Sequence, residues 1–265
     1  MQIYQIELFI SVIFVLNFQH AAYMKIIKLN ATTSTNDYLK QLSKETRVED
    51  FTAVWAENQT AGRGQRGAVF LSEPFKSLTF SVYVNEVSSR VEDMFILNFL
   101  VSNVIVEALE SFNLTNIYIK WPNDILSDGK KIAGILIENT IKSDGGFQSI
   151  IGIGINVQSI NFNGIEHASS ITEQNKVSID REELLIKIVD LLSKRIPIIE
   201  MMRQEEKERY HSKLFKKDIV STFETLDGNY FNAIINGVDH EGRLMLTDQS
   251  GNLRLYGLKE VRLLY

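Results

Sequence analysis

The spacing of apolar residues along the chain changes several times, and each change marks an element. A short apolar run, Ile26 to Leu29, gives way to the hydroxyl-rich cluster Thr32-Thr33-Ser34-Thr35-Asn36-Asp37. After it Tyr38, Leu39 and Leu42 recur at helical spacing. That order predicts a strand, a polar turn and an N-capped helix. Phe51 to Ala56 is largely apolar and predicts a buried strand, which runs directly into Glu57 to Gly67, where glycines mark an irregular loop. Leu78 to Val84 alternates and reads as another strand. From Val91 to Phe112, one stripe holds Met94, Leu97, Val101, Ile105, Ala108 and Phe112, with Asn98, Ser102, Asn103 and Glu110 off it. This is the pattern of a long amphipathic helix.

Further along, Ile117 to Lys120, Ile132 to Glu138 and Ser149 to Val157 are joined through turns at Trp121-Pro122-Asn123-Asp124, Asp128-Gly129-Lys130-Lys131 and Gly145-Gly146. Such a meander predicts an antiparallel or mixed sheet instead of a doubly wound parallel one. Asp180 to about Tyr210 is helical in pattern, with Pro197 as an internal break. Between Asp218 and Leu264, short β-rich runs are separated by Asp227-Gly228, Asn236-Gly237, Glu241-Gly242 and Ser250-Gly251, the signature of a small β-barrel. The first 23 residues stand apart. Ile3 to Leu16 is mostly apolar but interrupted by Gln5, Glu7 and Ser11, and no Lys or Arg precedes Tyr23. A spanning helix needs a longer apolar run and a signal peptide a basic start, so residues 1–23 read as a dispensable extension, with Met24 as the working start.

Composition narrows the function. The chain has 265 residues, 45% hydrophobic and 23% charged, a balance that suits one large core with a small appendage and excludes a disordered or low-complexity chain. It contains no cysteine, which removes disulfides, thiolate metal sites and cysteine nucleophiles and suits a reducing cytoplasm. A net charge of −5 gives no bulk attraction for nucleic acid or anionic membrane. The four histidines, His20, His167, His211 and His240, show no metal-ligand spacing, so no metal site is expected.

Candidate chemistry lies in three places. Gly62-Arg63-Gly64-Gln65-Arg66-Gly67 joins close backbone approach to guanidinium groups that match phosphate or carboxylate oxygens, while lacking the Lys-Ser/Thr of a P-loop. It reads either as an anion-binding loop or as a solvated turn. Lys120 and Lys131 bracket two turns containing Asn123 and Asp124, a set that suits a reaction developing negative charge on oxygen, or else a hairpin with solvated charges. Gly152-Ile153-Gly154-Ile155-Asn156 has the wrong spacing for a dinucleotide fingerprint. Its small residues allow a ligand or a neighbouring backbone to come close.

Taken in order, Ser34-Thr35-Asn36, Gln59-Thr60-Ala61-Gly62-Arg63-Gly64, Lys120-Trp121-Pro122-Asn123-Asp124, Gly129-Lys130-Lys131-Ile132-Ala133-Gly134-Ile135-Leu136-Ile137-Glu138 and Gly152-Ile153-Gly154-Ile155-Asn156 resemble the biotin protein ligases, over roughly Ile26 to Tyr265. The resemblance implies an α+β fold, a mixed sheet flanked by helices and related to class II aminoacyl-tRNA synthetase cores. A catalytic domain over 24–212 would be followed by an SH3-like β-barrel over 213–265. It implies a two-step reaction, in which biotin and ATP, with Mg2+, give biotinyl-5'-AMP, and biotin then passes to a lysine of a biotin carboxyl carrier protein.

By the same resemblance Lys131 is the principal catalytic lysine, with Arg63 and Asp124 beside it. Ser34, Thr35, Asn36, Gln59, Gly62, Arg63, Gly64, Gln65, Lys131, Gly134, Gly152 and Gly154 take the biotin side, and Arg66, Phe70, Lys120, Pro122, Asn123, Asp124 and Asn156 the nucleotide side. The chain departs from the family at Gln65 and Ala68, where arginines are common, and at Phe70, where a tryptophan is. Some members carry an N-terminal DNA-binding module, for which the residues ahead of Ile26 are too few, so neither nucleic acid nor membrane is an expected partner. A homodimer is compatible with the sequence. The rivals are a lipoate or octanoate ligase and a non-catalytic biotin-sensing regulator.

Overall fold

The computed structural model describes residues 10–17, 22–87, 94–142, 146–162 and 164–265. At its centre an eight-stranded sheet runs in the order β1 (Ile10–Asn17), β2 (Ala22–Leu29), β3 (Ala53–Ala56), β4 (Ser77–Val84), β8 (Phe147–Asn156), β7 (Lys130–Ile141), β6 (Asp124–Ser127), β5 (Ile117–Lys120). Neighbours β2 and β3 are parallel and the other pairs antiparallel, which is the mixed sheet expected of the meander. Residues 1–9 and 18–21 of the expected extension lie outside the described residues. Residues 10–17 of it add an edge strand, with Ile10 opposite Leu29 and Asn17 opposite Ala22.

Strand β4 shows how the sheet is built. Side chains alternate between faces, and here both faces are buried along the whole strand. Leu78, Phe80, Val82 and Val84 join the main core, whereas Ser77, Thr79, Ser81 and Tyr83 point to the opposite face. On that opposite face Ile27, Leu29, Val54, Ala56, Tyr83 and Ile150 pack under Leu39 of α1 (Thr35–Glu45). The main core lies on the other side, under α2 (Met94–Ser111), α4 (Arg181–Arg195) and α5 (Ile199–Ser212), with the short α3 (Ile171–Asn175) ahead of them. Pro197 sits in a 3-10 turn over Ile196–Ile198, and the helical stretch breaks there as its lost N–H requires.

Helix α2 differs from its sequence reading. The expected polar side is buried, Asn98, Ser102 and Asn103 included, because α4 and α5 cover it, while Glu110 stays exposed. Asn103 Nδ2 donates to Glu206 Oε2 at 2.8 Å, and the fully buried Glu206 accepts from Arg195 Nε at 2.9 Å. Breaking such a pair by removing one partner typically costs about 3–5 kcal/mol, since the other charge stays buried. Among the described residues α2 is the one helix long and apolar enough to cross a membrane, and 72% of it is buried within the protein, so packing already accounts for its apolarity.

After α5, a five-stranded antiparallel sheet runs in the order β12 (Leu253–Tyr256), β11 (Leu244–Asp248), β10 (Tyr230–Val238), β9 (Val220–Thr225), β13 (Val261–Leu264), as the short β-rich runs predict and consistent with an SH3-like unit. Its inward residues Phe223, Ala233, Ile235, Val238, Leu244 and Leu246 belong to the same apolar cluster as the large sheet. The two sheets are therefore joined by continuous core, reinforced where Trp121 Nε1 donates to the Gly242 carbonyl at 2.9 Å and His211 Nε2 accepts from Val238 N at 2.9 Å.

Candidate active site

On its face of the sheet helix α1 packs over β3, β4 and the Ile150 end of β8. Over β7 and β8 the same face opens into a cleft of about 610 Å3, bounded by the loop from Gln59 to Phe70 and by Glu224, Thr225, Val261 and Arg262 of the small sheet. Glycines form its floor. Gly134 pairs with Gly154 and Leu136 with Gly152 across β7 and β8. A Cβ at Gly152 would lie 2.3 Å from Asn36 Oδ1, and one at Gly154 2.5 Å from the Phe70 ring, so a side chain at either position would force its neighbour to shift.

At one end of the cleft Lys131 and Lys120 converge on Asp124, which opens β6 and does not sit within the preceding turn. Lys131 Nζ stands 2.6 Å from Asp124 Oδ1 and Lys120 Nζ 3.8 Å from Oδ2. The Lys131 backbone is pinned on both sides, its N–H donating to His167 O at 2.6 Å and its carbonyl accepting from Ser169 N at 2.9 Å. Burial pushes the Lys120 ammonium below the ordinary lysine range; Lys131 and Arg262 push the same way, against Asp124. Lys120 also lies 5.1 Å from the Tyr265 ring centroid. That ring stacks on His167, and burial together with the Asp124 charge raises its hydroxyl to about 12. Two ammonium groups against one carboxylate leave a formal charge of +1 here, in a partly desolvated setting suited to an anion.

At the other end, Arg63 Nη2 pairs with Asp37 Oδ1 at 2.9 Å and Glu138 Oε2 at 2.7 Å. Asn36 Nδ2 donates to the same Glu138 oxygen at 2.8 Å, while Asn36 Oδ1 accepts from Ser81 Oγ at 2.5 Å. Ser81 Oγ lies 2.7 Å from Thr35 Oγ1, and Gln59 Oε1 accepts from Thr35 N at 2.8 Å. A continuous polar chain thus runs beneath the cleft from Gln59 to Arg63.

Known proteins resemble this chain in sequence and in fold. Residues 29–156 match the model of the biotin/lipoate A/B protein ligase family. The bifunctional ligase/repressor BirA of Salmonella typhimurium is 30% identical over 226 residues, spanning 83% of this chain and 68% of that protein. The protein of the same name from Bacillus spizizenii is 30% identical over 251 residues, spanning 90% and 72%. Among solved structures, a biotin protein ligase from Aquifex aeolicus in complex with biotin and ATP superposes with a TM-score of 0.74 at 27% identity, covering 90% of this chain and 98% of that one. The chain belongs to the biotin/lipoate A/B protein ligase family.

Among the residues that the ligase motifs single out, Ser34, Thr35, Asn36, Gln59, Arg63, Gly64, Gln65, Phe70, Lys120, Pro122, Asn123, Asp124, Lys131, Gly134, Gly152 and Gly154 line one cleft. Gly62 and Asn156 stand just behind it. Gly62 leaves room for the Phe70 carbonyl, which a Cβ there would meet at 2.4 Å, and its own carbonyl accepts from Phe70 N at 3.1 Å. Asn156 donates to the Ser169 carbonyl at 3.1 Å and keeps a buried Oδ1 without a partner. The Arg66 side chain lies outside the described ones. Several motif residues act on the protein itself: Asn123 Nδ2 binds the Ile135 carbonyl at 2.8 Å and so fixes the turn to β7. Phe70, expected on the nucleotide side, rests its ring against Gly154 and Gly134. Sequence reasoning gave no role to Ser81, Asp37, Glu138 or Tyr265. A lone serine facing inward on an apolar strand was the available signal for Ser81.

Proposed function

We propose that this chain is an ATP-dependent biotin protein ligase. The observation that carries the reading is Lys131 of β7, held beside Asp124 of β6 and above the Gly134, Gly152 and Gly154 floor. Membership of the family and likeness to a ligase whose structure holds biotin and ATP support it. In the first step a biotin carboxylate oxygen attacks the α-phosphorus of ATP, forming the acyl phosphate bond and releasing pyrophosphate. Charge builds on the phosphoryl oxygens, and Lys131 and Lys120 supply fixed positive charge where it develops. In the second step the amine of an acceptor lysine attacks the acyl carbon and AMP leaves, the lost amine proton passing to a base; Asp124 is the carboxylate at hand, and its contact with Lys131 keeps both groups oriented.

In this reading magnesium enters with the nucleotide, as MgATP. The acceptor is a biotin carboxyl carrier domain, reached in the cytoplasm, with residues 24–212 as the catalytic unit and 213–265 as the barrel that closes the cleft. DNA is not a substrate in this reading. The test is pyrophosphate release on mixing the chain with MgATP and either biotin or lipoate, followed by transfer to carrier domains. Release with biotin and a biotinylated carrier is expected. Release with lipoate alone identifies a lipoyl ligase, and binding without release a sensor.

A further inference from the structure

Glu138 stands on β7 in the same face as Gly134 and Leu136, just beyond the cleft that those two residues line. Its side chain is a quarter exposed, and a single oxygen, Oε2, accepts from both Asn36 Nδ2 and Arg63 Nη2. The two donors differ in kind. Asn36 is 3% exposed and held from behind, its Oδ1 bonded to Ser81 and its amide seated in the space that Gly152 leaves. Arg63 belongs to the loop, whose backbone bonds between Gly62 and Phe70 are internal, Gly64 N to Ala68 O and Phe70 N to Gly62 O. These bonds shape the loop without tying it to the sheet.

The start of the loop is held by Thr60 N to Thr32 O at 3.0 Å and Ala61 N to Thr33 O at 2.9 Å; beyond Gly62 the Arg63 ion pairs supply the tie, together with the Phe70 ring resting on Gly154. Of the two carboxylates, Asp37 is the more exposed and gives the weaker anchor. Asn36, by contrast, has its amide hydrogen bonds committed to Glu138, Leu136 and Ser81, so it serves the cleft through its position.

We propose that Glu138 is a positioning residue for the substrate end of the cleft: its shared oxygen transmits the rigid placement of Asn36 to Arg63 and so fixes the glycine–arginine loop over the floor. The kinetic part of this inference rests on reading the cleft as a biotin and ATP site; the loop-anchoring part does not. Two measurements separate them. Limited trypsin digestion of the ligand-free chain, read by mass spectrometry for cutting after Arg63 and Arg66, reports anchoring. Steady-state adenylation reports the KM for biotin and for ATP.

Losing a charge-assisted anchor in Glu138→Ala is expected to speed loop cleavage on the order of tenfold, with a smaller acceleration in Asp37→Asn. Glu138→Gln keeps an acceptor for Asn36 and the shape of the side chain, and is expected to lie between them. The KM for biotin should rise about five- to tenfold in Glu138→Ala while the KM for ATP moves less than about twofold, a split that general destabilisation would not give. Unchanged cleavage in both Glu138 variants overturns the proposal, as does faster cleavage with an unmoved KM for biotin. If the unsubstituted chain releases no pyrophosphate with biotin, the proposed function fails, and the digestion still decides whether Glu138 anchors the loop.

Discussion

The two ends of the cleft carry opposite charge and are built from different material. At the lysine end, two ammonium groups share one carboxylate for a formal +1, and the groups sit on β5, β6 and β7, where ladder pairing fixes their backbones. At the loop end, one guanidinium meets two carboxylates for a formal −1, and the cation is borne by a segment outside the sheet. Lys131 and Asp124 are 35% and 17% exposed, against 42% for Arg63, 45% for Asp37 and 25% for Glu138, so solvent screens the loop pairs more. A fixed positive site suits charge that develops in a transition state, because no reorganisation is needed when it appears. An exposed arginine paired with two carboxylates holds a loop in place at modest strength. Arginine in a glycine loop and lysine beside a turn look alike in a sequence; their support tells them apart.

The harshest trial of that contrast is Lys131→Ala. Removing a preorganised donor of this kind costs about 10²–10³ in rate, so biotin-dependent pyrophosphate release should fall by that much while biotin binding survives weakened. Arg63→Ala in the same assay should lose an order of magnitude less, and equal losses would erase the distinction between the ends. Next in size is Gly152→Ala, whose new Cβ would meet Asn36 Oδ1 at 2.3 Å, and overpacking of this sort costs about 1–3 kcal/mol, read from the urea midpoint.

A subtler effect comes from Lys120. Burial lowers its pKa, so it sheds its proton, and with it the attraction for phosphate, at a lower pH than the ordinary lysine value of about 10.4. The KM for ATP should therefore begin to rise on the alkaline side below that value, and Lys120→Arg, which stays charged, should move the rise to higher pH. The smallest change is Trp121→Phe, which deletes the bond to the Gly242 carbonyl and should cost about 0.5–1.5 kcal/mol of stability without altering Lys131 chemistry.

The meander, the break at Pro197 and the terminal β unit were all legible because local pattern and final structure agree there. Helix α2 was read as half-exposed because its apolar stripe is clear, yet what covers Asn98, Ser102 and Asn103 comes from α4 and α5, far away in sequence. The same kind of distance hid the loop anchor. Asp37 and Glu138 belong to quoted motifs, but only the crossing of β7 past the start of α1 brings both carboxylates to Arg63. Tyr265 was invisible as a site residue for a related reason, since its ring reaches His167 and Lys120 only once the small sheet docks. Ser81 was missed because an alternating strand is normally read as one wet face, and α1 keeps that face dry.

Because the cleft is walled by the large sheet on one side and by Glu224, Thr225, Val261 and Arg262 on the other, anything bound inside it is a guest of both units. Mass action then links binding to melting: a ligand at a hundred times its Kd adds about 2.7 kcal/mol to the state that holds it. That gain is forfeited when either wall departs, so an occupied cleft should make the two sheets unfold as one cooperative body. A calorimetric trace with ligand would then sharpen into a single transition even if the empty chain loosens its small sheet first.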